Sequence, residues 1–312
     1  MALASSGQLT LSEIATEYDD SAPHGLSEFY DAATGVPSSG MIAVSDFHGT
    51  SAAISVTISS SQLNYDLYDA LIAANYSSSD ISNNVIFNIT INSGVTMKGS
   101  STAGGGGRVF THSCVSGGCG SPIMVPYGGS GQRAGTSHGC LILEGLGSSK
   151  TFNVTNGGTF EAGAGGGAKG YHNGNSQNVS GGTGGSPVVL IDQDNCTLNL
   201  TNNGTMRGGG GGGCGGGWGA GHGGCCYKWG GEGQGHNVSA SGGQGGSHGG
   251  NAGGSGGGWG SSGTESGNTP SVPGLGGTIV ELRSCSGTSA NVTNNGTFSS
   301  AGTTRSTSSN RA

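Results

Sequence analysis

Four stretches of this chain repeat one alternation of apolar and polar positions: FNITINSGVTMKG (87–99), FNVTNGGTFEAG (152–163), LNLTNNGTMRGG (198–209) and ANVTNNGTFSSAG (290–302). Each reads apolar-Asn-apolar-Thr, then an Asn/Gly turn, Thr, an apolar residue and small residues. A period of two puts the apolar side chains on one face, the pattern of a half-buried β-strand. Asn-Gly at the turn suits a backbone with φ > 0. The last three copies each follow another apolar run: LILEGL (141–146), VVLIDQ (188–193) and TIVELR (278–283). The copies start at 87, 152, 198 and 290, so no solenoid of fixed period is expected. What varies is an insert, at roughly 100–139, 164–187 and 208–277. Each insert leaves the end of one apolar strand and returns at the start of the next, so a layered β scaffold would collect all three on one side. The fourth copy has no insert. Tandem hairpins at the Asn-Gly turns are the alternative arrangement.

Ahead of the repeats the pattern differs. AISVTI (53–58) and NVIFNITI (84–91) alternate like strands. Between them, LNYDLYDALIAANY (63–76) pairs Leu67 with Leu71 and Tyr68 with Ile72 at i,i+4, which predicts a short amphipathic helix. The first 50 residues contain a threefold echo, LTLSEI (9–14), HGLSEF (24–29) and IAVSDF (42–47). Ser12, Ser27 and Ser45 read as N-caps, with Glu13, Glu28 and Asp46 at the positive end of a short helix. Ile14, Phe29 and Phe47 then point inward as anchors.

Composition changes the picture of the inserts. Of 312 residues 71 are glycine, and only 9 % are charged. Disordered chains are usually rich in charge or proline, and this one is neither. Glycine without a strict G-X-Y period also argues against collagen. Polyproline-type helices expose N–H and C=O groups sideways, and only glycine lets such strands approach closely enough to bond one another. Gly208–Gly213 therefore reads as a lateral-bonding segment, and the residues that interrupt the glycines as its display. The opposing term is conformational entropy, about 1–2 kcal/mol per ordered residue and more for glycine.

A formal net charge of −7 argues against nucleic acid as a partner. No apolar run approaches the length of a membrane span. MALASSGQLTLSEIATEYDD lacks the basic and apolar regions of a secretory signal, which predicts synthesis in the cytoplasm and later release. The eight cysteines, at 114, 119, 140, 196, 214, 225, 226 and 285, match no zinc spacing. His222, Cys225 and Cys226 form the one weak metal candidate; small-residue packing or disulfides are the favoured readings. No G-x-S-x-G, H-E-x-x-H or paired-carboxylate pattern occurs, so neither an enzyme nor a cofactor is expected.

The stretch NYDLYDALIAANY…NVIFNITINSGVTMKG, followed by NNGTMRGGGGGG, resembles glycine-rich structural proteins of tailed bacteriophages. SSGQLTLSEI and PSSGMIAVSDFHG resemble the opening of phage virion appendage proteins, and the glycine tracts are similar to the tip adhesins of T-even-like long tail fibres. The resemblance implies a sandwich of polyglycine type II helices whose exposed loops bind a bacterial surface. The cysteines and several tryptophans belong to no pattern that carries over.

The expected fold is mainly β and irregular: a layered, solenoid-like framework carrying a glycine bundle, with a small α/β part near the N-terminus. Its expected divisions are 1–51 for virion attachment, 52–99 as a small α/β module, 100–302 as repeats with inserts, and 303–312 as a tail. The expected function is a tail-fibre or tail-tip adhesin on the virion, made in the host cytoplasm. Its expected partners are other tail proteins and a surface polysaccharide or outer-membrane protein. Appendages of this kind are often homo-oligomers, trimers among them. Candidate receptor contacts are Trp218, Tyr227, Lys228, Trp229, His236 and Trp259, with Tyr171 and His172 from the second insert, because aromatics dominate hot spots and stack on sugars. Ile14, Phe29 and Phe47 are the candidate virion-docking anchors. The competing functions are a decoration or fibre subunit without a receptor, and a secreted glycoprotein suggested by sequons such as those at Asn153, Asn199 and Asn291.

Overall fold

The computed structural model describes residues 3–4, 6–18, 25–30, 32, 36–47, 53–100, 139–167, 169–173, 176–179, 184–213, 228–229, 233–241, 254–264, 273, 275–283 and 285–307. Near the N-terminus, helix α1 (Leu11–Glu17) and two 3-10 turns (Leu26–Phe29 and Val44–Phe47) carry the threefold echo. The caps sit two residues earlier than the serines. Thr10 caps α1, Gly25 precedes the second turn, and the acid reaches back each time to the entering N–H. Thr10 N–H donates to Glu13 (2.7 Å), Gly25 to Glu28 (2.7 Å) and Ala43 to Asp46 (2.8 Å). The acid therefore stands at the third helical position, as a capping box requires.

Ile14, Phe29 and Phe47 pack together at 0–3 % exposure, with the two rings edge to face at 6.0 Å. They form the small core of this segment and are not available as docking anchors, because a side chain that fills its own core cannot also face a partner.

The Thr10 hydroxyl, then the Thr10 N–H, hold the Glu13 carboxyl below its usual range. A carboxylate with a lowered folded pKa adds stability above its unfolded value and loses it as pH falls through the folded one. We expect the Glu13 carboxyl to titrate below an ordinary glutamate by NMR, and Thr10→Val to return it toward normal.

The repeats build a three-faced parallel β-coil. The first turn comprises β1 (Ile54–Ile58), β2 (Gln62–Leu63) and β3 (Tyr65–Asp66), followed by helices α2 (Leu67–Ala73) and α3 (Ser78–Asn83). The second is β4 (Ile86–Ile91), β5 (Thr96–Lys98) and β6 (Leu141–Leu143). The third is β7 (Thr151–Asn156) and β8 (Thr159–Glu161), then a hairpin of β9 (Lys169–Asn173) and β10 (Ser176–Val179), then β11 (Val189–Ile191). The fourth is β12 (Thr197–Asn202) and β13 (Thr205–Arg207), then β14 (Lys228–Trp229) within the insert, and β15 (Val280–Arg283). The fifth is β16 (Ser289–Asn294), β17 (Thr297–Ser299) and β18 (Thr304–Thr307).

Three five-stranded sheets result, in the orders β1-β4-β7-β12-β16, β2-β5-β8-β13-β17 and β3-β6-β11-β15-β18. Strand pairing in all three is parallel. The Asn/Gly turn is thus a corner between two sheets, and the hairpin alternative is excluded. Its glycines serve close stacking more than φ > 0. Only Gly94 has a positive φ there (80°), whereas a Cβ on Gly204 or Gly296 would lie 2.0 Å from the carbonyl oxygen of the coil before. Strands β1 to β3 share their sheets with every later coil.

Like residues stack inside. Phe87, Phe152, Leu198 and Ala290 share one register, as do Met97, Phe160, Met206 and Phe298, and the Phe87 and Phe152 rings stack at 5.5 Å. Each fully buried side chain of this size contributes about 1.5–3 kcal/mol. A third inward column is polar. Asn156 donates to Asn202 (2.7 Å), which donates to Asn294 (2.8 Å).

Lys150, 4 % exposed, donates through Nζ to the carbonyls of Ser82 (2.6 Å) and Asn84 at the end of α3. Burial pushes its pKa down. Lys150→Met keeps the stem but leaves those carbonyls unmet. We expect a loss of about 1–3 kcal/mol in urea unfolding.

Candidate recognition site

The three glycine-rich inserts leave from one corner, between the second and third sheets, after Lys98, Glu161 and Arg207. The fifth coil turns the same corner in the four residues 300–303 and needs no insert. At that corner the described glycine segments bond side by side through their backbones. Gly209 donates to Ser186 (3.0 Å), Gly210 to Gln234 (2.7 Å) and Gly211 to Ser261 (2.9 Å). Their carbonyls accept from Gly277 (2.7 Å), Gly165 (2.8 Å) and Gly257 (2.8 Å), respectively. Partners thus come from the second and third inserts alike, and buried peptide groups are satisfied without a conventional sheet.

At three of these glycines no side chain fits. A Cβ on Gly209 would lie 1.8 Å from the Gly163 oxygen, on Gly210 2.1 Å from that of Gly257, and on Gly212 2.0 Å from that of Gly166. Larger side chains of the inserts are therefore expected at the margins of the array.

Two margins are described. The first is a small antiparallel sheet, β10-β9-β14. Lys228 pairs with Gly170 and Trp229 with Lys169, while Tyr171 and His172 lie opposite Asn178 and Gln177. Candidate residues from the second and third inserts thus meet on neighbouring strands.

The second margin lies where the array meets β8 and β13. Glu161 accepts from Arg207 Nη1 (2.9 Å) and faces His236 Nδ1 (3.1 Å). The Arg207 guanidinium lies 5.7 Å from the centroid of the Trp259 ring, a cation–π contact. Backbone bonds set both aromatic positions. His236 N–H donates to the Ala162 carbonyl (3.1 Å), and Trp259 N–H donates to Gln234 Oε1 (3.3 Å). The result is a half-buried indole, imidazole, guanidinium and carboxylate in one place, suited to stacking on a ring and bonding its polar substituents. Of these, His236 and Trp259 stand out in the sequence because they interrupt glycine. Glu161 and Arg207 do not, although their shared place at the end of two repeat copies was a usable signal.

Trp218, Tyr227, His222, Cys225 and Cys226 lie outside the described residues. Among the described residues no group of three His, Cys, Asp or Glu side chains could hold a metal, and no helix is long and apolar enough to cross a membrane. Cys140, Cys196 and Cys285 are free thiols. Burial pushes all three pKa values up, and the Sγ of Cys285 donates to the Arg283 carbonyl (3.0 Å). These cysteines are packing residues with the character of weak donors. The sequons at Asn153, Asn199 and Asn291 have a structural use: their amides join in a ladder along the first sheet.

No protein-family model and no curated protein matches the chain. Among solved structures, it is similar to the gp37–gp38 adhesin tip complex of the bacteriophage S16 long tail fibre, with 16 % identity and a TM-score of 0.41. The match covers 94 % of this chain and 92 % of that one.

Proposed function

We propose that this chain is a phage tail-fibre adhesin whose glycine inserts form a polyglycine type II array, and that residues at the array's margins bind the host surface. The observation that carries the reading is the array itself: inserts from separate coils, rooted at one corner, bonded backbone to backbone with no room for a Cβ. A three-residue turn accounts for the bonding. Gly208 and Gly211, three apart, both bond to the same stretch, Gly208 accepting from Gly260 (2.7 Å) and Gly211 donating to Ser261 (2.9 Å). Such a scaffold is rigid without side chains, so the residues interrupting it are free to vary with the receptor.

The role is binding rather than catalysis, the ligand being a surface polysaccharide or an outer-membrane protein. The N-terminal segment would join the fibre through its outer surface, where Met41 is 92 % exposed. The test replaces residues 208–277 with a short corner copied from 300–303, so that the coil can still close. Adsorption of phage carrying this variant, with the coil shown intact by circular dichroism, is expected to fall to background. Unchanged adsorption would leave the chain a structural fibre subunit.

A further inference from the structure

We propose that the outer face of the first sheet is a second binding surface, for a neutral, hydroxyl-rich polysaccharide chain. Parallel pairing in strict register lines up like residues across all five coils. Thr57, Thr90, Thr155, Thr201 and Thr293 form one row, and Ser55, Asn88, Asn153, Asn199 and Asn291 a second. Thr151, Thr197 and Ser289 continue a third row that begins at Ile86. None of these outward positions carries an ionisable side chain. Charge complementarity therefore favours a neutral partner over an anionic one, since ionic sugars would find no counter-charge to offset their desolvation.

The hydrogen-bonding capacity of the face is large and already ordered. Asn153 donates to Asn88 (3.0 Å), Asn199 to Asn153 (2.9 Å) and Asn291 to Asn199 (3.0 Å). After those bonds each inner amide keeps one N–H and one oxygen lone pair, and each threonine offers a hydroxyl that can both donate and accept. The ladder has already fixed the amide rotamers, so binding loses little further side-chain entropy. Strands about 4.8 Å apart repeat this set of groups coil after coil. A sugar polymer presents its hydroxyls with a similarly regular period, and a chain lying across the coils can bond several at once. The surface lies on the framework, away from the glycine array's marginal residues, and does not depend on their role.

The test uses the purified full chain in affinity gels containing dextran, mannan, galactan, a soluble N-acetylglucosamine polymer, or polygalacturonate as the anionic comparison. Retardation is expected with at least one neutral polymer. Thr155→Glu with Thr201→Glu is expected to weaken it at least tenfold, whereas Thr155→Ser with Thr201→Ser should hold it within threefold. Thermal melting checks that both variants keep the fold; if the glutamates unfold the chain, Thr155→Gln with Thr201→Gln, bulky but neutral, replaces them with the same expected loss. Retardation by polygalacturonate alone, by none of the polymers, or equally in the folded Glu or Gln variant would overturn the proposal. Loss of cell adsorption on removing 208–277 would leave this result unaffected, so the two readings fail separately.

Discussion

Gly209→Ala is expected to destabilise the protein by about 3–5 kcal/mol, a large effect for one methyl group. The added Cβ would stand 1.8 Å from the Gly163 oxygen and 2.9 Å from the Ser186 nitrogen. Those two atoms belong to one hydrogen bond, from Ser186 N–H to the Gly163 carbonyl (2.9 Å). Gly209 itself donates to Ser186 and accepts from Gly277. Making room for the methyl group must part segments from the second and third inserts. Overpacking costs about 1–3 kcal/mol, and each buried backbone group left unpaired adds about 1–3 kcal/mol. Gly302→Ala is the control, because its Cβ would meet nothing within 4 Å and its φ is not in the left-handed region. Urea unfolding should show the first substitution lowering stability and the second leaving it within about 0.5 kcal/mol. Equal, small effects in both would mean that the glycine segments are not held side by side.

Asn202→Ala should cost about 3 kcal/mol through a different route. Asn202 is fully buried, with an inward amide that accepts from Asn156 (2.7 Å) and from Gly204 N–H (3.2 Å) and donates to Asn294 (2.8 Å). Alanine removes these bonds, opens a small cavity, and strands the buried Asn156 amide, which water does not reach. Asn202→Asp is nearly isosteric, yet an ionised carboxylate cannot donate to Asn294, and its charge would be buried. It should therefore be at least as harmful at neutral pH, and should recover part of the loss on acidification as the carboxyl takes up a proton. Chemical denaturation at two pH values checks both. If Asn202→Ala melts like the parent protein, the polar column is not a stabilising element.

The framework was legible in the chain because its signal is periodic. Alternation in FNIT, FNVT, LNLT and ANVT marks half-buried strands, and the short bridge at 300–303 fits a last copy without an insert. Three details were misplaced for identifiable reasons. Each capping acid follows a serine, which drew the caps to Ser12, Ser27 and Ser45, whereas the backbone places the acid three residues after the cap at Thr10, Gly25 and Ala43. The Asn-Gly turns suggested φ > 0, but stacking at 2.0 Å against the preceding coil is what excludes a side chain at Gly204 and Gly296. Ile14, Phe29 and Phe47 were right as inward anchors and wrong as docking residues, since one burial uses up the side chain. The candidate site was half legible. Aromatic interruptions of glycine are visible in any reading, but Glu161 and Arg207 meet His236 and Trp259 only because an insert folds back on its own root.

By itself the sequence determined which repeat residues face inward, four of the five coils, and where glycine leaves no alternative but backbone contact. Those are local properties, written in period and composition. Tertiary structure alone decided that strands pair coil to coil rather than within hairpins, that segments of the second and third inserts bond one another, and that Tyr171 and His172 lie on a strand next to Lys228 and Trp229. The reason is that a backbone hydrogen bond carries no residue identity. Glycine segments announce that they can bond laterally, but which segment each one meets is settled by the coil that brings their ends together.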